Sequence, residues 1–152
     1  MSMEHIRKAA PEDVSRLAEI LVFVRRLNFY PIFGDAGYAF GEQQVIPTAQ
    51  SYLHDPELLS RTYVYDDGIV RGLVEIRGQE IVKLYVDHFF QGQGIGEQLI
   101  EFAVREFDVR YLYALEKNTG SLRFYERHGF TFRGEWIYEE DTPEKLLKLE
   151  RK

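Results

Sequence analysis

Residues 81–107 read IVKLYVDHFFQGQGIGEQLIEFAVREF. The segment begins as an apolar strand, passes through a turn with three alternating glycines (Gly92, Gly94 and Gly96) and continues as an amphipathic helix. The start of a helix leaves backbone N–H groups unpaired at the positive end of the helix dipole, and glycine lets an anion approach the backbone closely. The segment therefore predicts an anion site of the kind that binds phosphate groups.

The regions on either side of this segment predict a mixed α/β sheet. Upstream, turns at residues 66–68 and 77–79 separate three apolar runs, which we expect to form an antiparallel meander (strands 62–65, 69–76 and 80–86). Downstream, residues 110–116 form the next strand. A strand–helix–strand crossover joins parallel strands, so we expect this strand to lie parallel to strand 80–86.

The two ends of the chain complete the predicted fold. Before the meander we expect a short strand at 5–9, a helix that starts near Pro11 and runs to about Asn28, an aromatic loop at 29–44 and a helix at 43–53. After strand 110–116 we expect a helix at 118–128 that Gly129 ends, a strand at 131–138, and a strand or short helix at 144–152. The sum is about seven strands and about four helices.

Composition narrows the class of protein. The chain has 152 residues, 45% of them hydrophobic and 29% charged, which predicts one globular domain spanning residues 1–152. No apolar run is long enough to span a bilayer, so no membrane is expected, and the N-terminus lacks the apolar core of a signal peptide. The absence of cysteine excludes disulfides and thiolate chemistry and fits a cytoplasmic location. The net charge of -6 argues against nucleic acid and favours cationic small molecules or basic peptides.

Two motifs in the second half of the chain resemble those of the GNAT superfamily of N-acetyltransferases. The turn Gln91-Gly92-Gln93-Gly94-Ile95-Gly96 matches Q/R-x-x-G-x-G/A, the family's signature for the pyrophosphate of coenzyme A. Residues 118–130, NTGSLRFYERHGF, match the pattern N-x-x-[small]-x-x-h-Y-x-x-x-G-F. The resemblance is specific over about residues 80 to 132 and lies only in the order of helices and strands over residues 1 to 79. It implies a GNAT fold whose parallel strand pair splays apart.

Two alternatives belong to other classes. A dinucleotide-binding turn requires G-x-G-x-x-G and an acidic residue at the end of a second strand about 20 residues later. Here the glycines fall at 92, 94 and 96, the strand near 116 follows a longer gap, and a meander precedes the turn instead of a βαβ repeat. A non-catalytic acyl-coenzyme A sensor of the same fold is the second alternative. The presence of Asn118 and Tyr125 argues against it.

The resemblance implies which residues hold acetyl-coenzyme A as co-substrate. The backbone of the glycine turn would bind the pyrophosphate, and the outer edge of strand 80–86 would pair with the amides of the pantetheine arm. Asn118 is typical of a helix N-cap and by resemblance also meets this arm. The expected cofactor-binding residues are Leu84, Tyr85, Val86, Gln91, Gly92, Gln93, Gly94, Ile95, Gly96, Asn118 and Tyr125.

The resemblance also assigns catalytic roles. Tyr125 stands where GNAT enzymes place a general acid that protonates the departing thiolate, although composition alone reads it as a core aromatic. Glu80 matches the position of the glutamate base in the histone-acetylating branch, and Glu75, Glu116 and His88 are other candidates for the base. No metal-ligand spacing and no G-x-S-x-G elbow occur. A direct transfer without an acyl-enzyme and without a metal is the expected mechanism.

The acceptor is less defined than the donor. Phe29, Tyr30 and Phe33 lie in a segment punctuated by glycine and proline, which indicates either a loop that lines the acceptor site or one that packs its rings on the core. We expect the acceptor to enter between residues 29–40 and 136–147. It is a primary amine, on a small molecule or on a peptide. An edge strand near the C-terminus could pair two chains into a homodimer.

Overall fold

The computed structural model describes residues 4–152, which form one seven-stranded sheet with helices on both faces. Along the chain, β1 (Ile6–Lys8) is followed by α1 (Val14–Asn28), α2 (Tyr30–Phe33), a π-helical turn (Gly37–Glu42), α3 (Val45–Leu53) and α4 (Pro56–Ser60). The strands β2 (Thr62–Asp66), β3 (Val70–Arg77) and β4 (Glu80–Val86) come next. The chain ends with α5 (Ile95–Phe107), β5 (Tyr111–Leu115), α6 (Thr119–Arg127), β6 (Thr131–Tyr138) and β7 (Lys145–Glu150).

The strand order is β1-β2-β3-β4-β5-β7-β6, and every pair of neighbours is antiparallel except β4 and β5. The predicted meander and the predicted parallel pair are therefore confirmed. Residues 145–150 form a strand; of the strand and the short helix expected at 144–152, the structure has the strand. β6 lies at the edge of the sheet and is exposed along its length, so the structure leaves this edge open to pairing. Within the described part of the chain, no helix is long and apolar enough to cross a membrane.

Two apolar cores lie on opposite faces of the sheet. One core packs α5 and α6 against the sheet and includes Leu99, Leu112 and Phe130, each 2% exposed or less. The other packs α1 and α3 on the opposite face and includes Leu17, Leu21 and Leu73.

The segment from residue 29 to 44 is helical, and the prediction of a loop was wrong. Gly34 takes a left-handed φ of 66° and its N–H donates to Tyr30 O at 2.8 Å, which closes α2. The π-helical turn is fastened to α1 by Arg26, whose Nε donates to Ala39 O and whose Nη2 donates to Gln43 O, both at 3.0 Å. Glycine and proline here end short helices instead of marking irregular structure. With α4 also unpredicted, the described residues contain six α-helices where about four were expected.

Gly72 on β3 is a position where the sheet and α5 approach closely. A Cβ at Gly72 would lie 3.0 Å from Tyr85 O, 3.1 Å from Leu99 Cδ1 and 3.3 Å from Ile95 Cγ2. The first of these atoms is backbone and cannot swing away. We therefore expect Gly72→Ala to lower the free energy of unfolding by about 1–3 kcal/mol through overpacking, as measured by urea denaturation. The matched control is Gly41→Ala, where a Cβ meets nothing within 4 Å. Equal stability of the two variants would contradict the close approach.

Candidate active site

A cleft opens through the sheet between β4 and β5. The two strands pair at only two positions, Glu80 with Tyr111 and Ile81 with Leu112, and diverge beyond them. The cleft has a volume of about 1620 Å³ and its walls come from both faces of the sheet. One side is formed by the glycine turn and α6, and the other by α1, α2 and the turn at 139–144.

A β-bulge in β4 accompanies this divergence. Opposite β3, Glu75 pairs with Lys83 and Ile76 pairs with Ile81, so Val82 is the extra residue. A bulge bends a strand and increases its twist. The bulge lies directly after the last β4–β5 pair, and we attribute the divergence of the two strands to it.

The outer edge of β4 carries backbone groups that point away from β3 and face the cleft. Asp87 N–H donates to Arg71 O at 2.9 Å, and hydrogen-bonded pairs alternate along an antiparallel ladder. The pair of Val86 with Gly72 is therefore the non-hydrogen-bonded kind, so the N–H and C=O of Val86 point away from β3. Gln91 Nε2 donates to Val86 O at 3.2 Å on this side. By the same alternation Leu84 also faces outward, whereas the backbone of Tyr85 faces β3.

The three positions of the turn favour glycine for different structural reasons. Gly92 and Gly94 have left-handed φ values of 78° and 81°, which favour glycine, and Gly94 is the N-cap of α5. Space above both is open: a Cβ on Gly92 would meet nothing within 4 Å, and one on Gly94 only Glu97 Oε2 at 3.9 Å. Gly96 instead packs tightly, since a Cβ there would lie 3.3 Å from Phe124 Cζ. Gly92 and Gly94 therefore fit an anion site, and Gly96 fits close packing of α5 on α6.

Asn118 and Tyr125 both reach the cleft from α6. Asn118 is the N-cap, and its Oδ1 accepts from Ser121 N–H at 3.4 Å. Tyr125 is partly buried between Phe124 and Phe130, with ring centroids 5.3 and 6.4 Å away. Burial raises the pKa of Tyr125 above its usual value, and the nearby phenol of Tyr85 adds to the rise. The hydroxyl of Tyr125 is therefore a proton donor throughout the neutral range.

Most of the expected cofactor-binding residues line the same cleft: Leu84, Tyr85, Val86, Gln91, Gly92, Gly94, Ile95, Gly96, Asn118 and Tyr125. Gln93 does not line it. Phe29 and Phe33 line the opposite side, while Tyr30 stacks edge-on against Phe40 at 5.3 Å and does not. The structure thus brings together residues far apart in the sequence, with the glycine turn on one side of the sheet and the aromatic helix on the other.

None of the four candidate general bases lines the cleft. Glu80 lies at the closed end, where β4 still pairs with β5, and burial raises the pKa of its carboxyl. Glu75 is 1% exposed, and its Oε2 accepts from Arg61 Nε at 2.8 Å. His88 and Glu116 also lie outside the cleft lining. These positions do not favour any of the four as base.

Glu80→Gln is accordingly expected to leave kcat and its pH dependence almost unchanged. Removal of a general base typically costs about 100-fold or more in rate, and Glu80 lies where β4 still pairs with β5, outside the residues that line the cleft. The measurement is the pH–rate profile of acetyl transfer for the wild type and the variant. A lost or shifted ascending limb in the variant would restore Glu80 as the base.

Arg25, on α1, and Lys83, on β4, are cleft residues that lie outside the predicted site regions. A signal for Arg25 existed, because it stands four residues after Leu21 and so continues the buried stripe of α1. Tyr38, Glu139 and Asp141 also line the cleft, and they lie within the ranges 29–40 and 136–147 between which the acceptor was expected to enter.

Comparisons with known proteins agree with this geometry. Residues 59–132 match the family model described as Acetyltransferase (GNAT) domain. No curated protein sequence matches the chain. Among solved structures, apo YjaB from Escherichia coli has a TM-score of 0.77 at 23% identity over 95% of each chain. The PaiA N-acetyltransferase from Thermoplasma acidophilum, in complex with coenzyme A, has a TM-score of 0.75 at 18% identity, over 97% of this chain and 98% of that one. The structure of yncA from Salmonella typhimurium with acetyl-coenzyme A has a TM-score of 0.64 at 19% identity, over 95% of this chain and 90% of that one.

Proposed function

Because the chain belongs to the GNAT superfamily, by its family match and by its fold, we propose that it transfers an acetyl group from acetyl-coenzyme A directly to a primary amine. The observation that carries the proposal is the cleft between β4 and β5. It places the glycine turn, the unpaired edge of β4 and the hydroxyl-bearing side chain of Tyr125 around one space.

The residues at the cleft fit coenzyme A. The open space above Gly92 and Gly94, at the N-terminus of α5, accommodates a pyrophosphate against backbone N–H groups. Leu84 offers an outward N–H and C=O and Val86 an outward N–H, as a second strand would require, while the C=O of Val86 accepts from Gln91 Nε2. They match the amides of a pantetheine arm. Asn118 adds a side-chain amide on the opposite wall of the cleft.

Acetyl-coenzyme A supplies an acetyl group activated as a thioester. The outward N–H of Val86 can donate to the carbonyl oxygen and stabilise the negative charge that develops there as the amine attacks. A new C–N bond forms, the C–S bond breaks, and Tyr125 donates its proton to the departing sulfur. The amine attacks as the neutral species and loses one proton to solvent in the open cleft as the amide forms, and the Tyr125 phenolate regains a proton from solvent.

The acceptor enters from the side of the sheet that carries α1 and α2. Phe29 and Phe33 supply apolar walls there, with ring centroids 6.2 Å apart, and Phe29 also lies edge-on to Tyr85 at 6.4 Å. Tyr85 belongs to β4, so the aromatic wall continues to the strand along which the donor binds. This continuity supports attack from the α1 side.

The proposal is tested by incubating the protein with acetyl-coenzyme A and a panel of primary amines, amino acids and short peptides. Free thiol is measured as it is released, and mass spectrometry identifies the acetylated product. We expect thiol release that depends on the acceptor. Tight binding of coenzyme A without transfer to any acceptor would instead support the sensor function.

A further inference from the structure

The acceptor side of the cleft contains a cation that no carboxylate neutralises. Arg25 is partly buried near the end of α1 and lines the cleft. Its Nη1 donates to Gln43 Oε1 at 3.0 Å, whereas its Nε is buried and has no hydrogen-bond partner. Within residues 4–152 the guanidinium forms no ion pair.

The groups around Arg25 are neutral phenols. Burial lowers the pKa of Arg25, while the phenols of Tyr85, Tyr38 and Tyr52 raise it, and the net shift is upward. Tyr38 and Tyr85 line the cleft with Arg25, and Tyr52 is 1% exposed. At neutral pH a phenol offers a hydrogen bond but no charge. Arg25 therefore carries a full positive charge that its surroundings do not compensate.

A second cation in the same wall, Lys83, pairs with a carboxylate that also pairs with another cation. Lys83 Nζ lies 3.3 Å from Glu75 Oε1, but Glu75 also pairs with Arg61. Burial lowers the pKa of Lys83, Glu75 opposes this, and the charge of Arg25 lowers it further. Arg25 therefore lies close enough to Lys83 for their charges to interact. Arg25 and Lys83 therefore place two cations close together in this wall, and the one carboxylate paired with Lys83 is also paired with Arg61.

The neighbouring arginine, Arg26, differs from Arg25 in its hydrogen-bond partners. Arg26 donates to two backbone carbonyls and so fastens the π-helical turn to α1, as described above. Arg25 makes no comparable backbone contact. A partly buried charge without a counter-ion is costly, and guanidinium fits a carboxylate through two parallel hydrogen bonds.

We propose that Arg25 binds a carboxylate of the acceptor, so that the acceptor is an amino acid carrying a primary amine and a carboxylate. This inference rests on the proposed acetyl transfer and adds the class of acceptor to it. The carboxylates of Glu139 and Asp141 line the turn across the cleft, where they attract the ammonium group as the acceptor enters. The guanidinium of Arg25 then receives the carboxylate at the other end of the molecule.

The proposal is tested with pairs of acceptors that differ only by the carboxylate: L-phenylalanine with 2-phenylethylamine, and 6-aminohexanoate with pentylamine. For the wild type we expect kcat/KM to be about 10- to 100-fold higher for the better amino acid than for its decarboxylated partner. Arg25→Gln should bring this ratio close to one, mainly by raising KM for the amino acid. Arg25→Lys should keep part of the preference. The control Arg105→Gln, at an exposed position of α5 that does not line the cleft, should keep all of it.

Calorimetric binding of the same amino acids to the protein loaded with coenzyme A separates this inference from the proposed function. If an amino acid binds the wild type but not Arg25→Gln, and no thiol is ever released, the carboxylate site stands and the transferase function fails. If the decarboxylated amines react as fast as the amino acids, the inference is wrong and the function stands. Binding of neither amino acid, or binding of inorganic phosphate alone, also overturns the carboxylate site.

Discussion

Gly94→Val is expected to weaken the binding of coenzyme A by at least about 100-fold, because the pyrophosphate would lose two or more charge-assisted hydrogen bonds from the backbone. Gly94 is the N-cap of α5 with a φ of 81°. Within the protein a Cβ there meets only Glu97 Oε2, at 3.9 Å, so the added side chain would occupy the open space that an anion needs. Binding is measured by calorimetry with coenzyme A and with dephosphorylated pantetheine.

The control must separate this blockage from backbone strain, since valine is unfavourable wherever φ is positive. Gly78→Val provides it. Gly78 lies in the β3–β4 hairpin with a φ of 60°, a Cβ there meets nothing within 4 Å, and the residue does not line the cleft. Both variants should lose stability to a similar degree. Only Gly94→Val should lose affinity for coenzyme A, while its weak binding of pantetheine should persist. An equal loss of affinity in both variants would remove the phosphate role from the turn.

The donor side of the cleft could be predicted from sequence because its determinants are local. Strand, turn and helix follow one another within residues 81–107, and the left-handed conformations of Gly92 and Gly94 are properties of the turn itself. The helix that carries Asn118 and Tyr125 is equally local, since N-cap, apolar face and Gly129 all lie within one segment. Tertiary contacts only had to bring the two segments together. The parallel order of β4 and β5 follows from the handedness of the connection between them.

The acceptor side could not be predicted because its determinants are distant in the sequence. The aromatic segment after α1 is held against α1 by Arg26, and such a contact between two elements has no signal in the local sequence. The bulge at Val82 arises from the pairing of β4 with β3 and has no glycine or proline to mark it. Glu80 lies outside the cleft lining because β4 and β5 still pair at that position. That Arg25 forms no ion pair likewise depends on which side chains surround it in the folded protein, and composition alone does not reveal this.

Tyr125→Phe is expected to lower kcat by about 100-fold while the affinity for coenzyme A changes little. The substitution removes one hydroxyl and keeps the ring that packs between Phe124 and Phe130, so the cleft should keep its shape. Burial raises the pKa of Tyr125, so the proton is present below that pKa and is lost only when the pH rises through it. The wild-type rate should therefore rise as the acceptor amine loses its proton and show no decline up to about pH 10, the ordinary pKa of tyrosine. The variant should keep the rising limb at a lower plateau.

Steady-state kinetics of thiol release, with calorimetric binding of coenzyme A and thermal unfolding of each variant, provide the measurement. Tyr63→Phe is the matched control, because Tyr63 packs on Phe102 and Phe107 with centroids 5.1 and 5.3 Å away and does not line the cleft. It loses the same hydroxyl at a site where no proton transfer is proposed, so its kcat should equal that of the wild type. A Tyr125→Phe enzyme as fast as this control would mean that the sulfur leaves without a proton from Tyr125. A loss confined to affinity would mean that the hydroxyl binds the donor and does not act in the transfer.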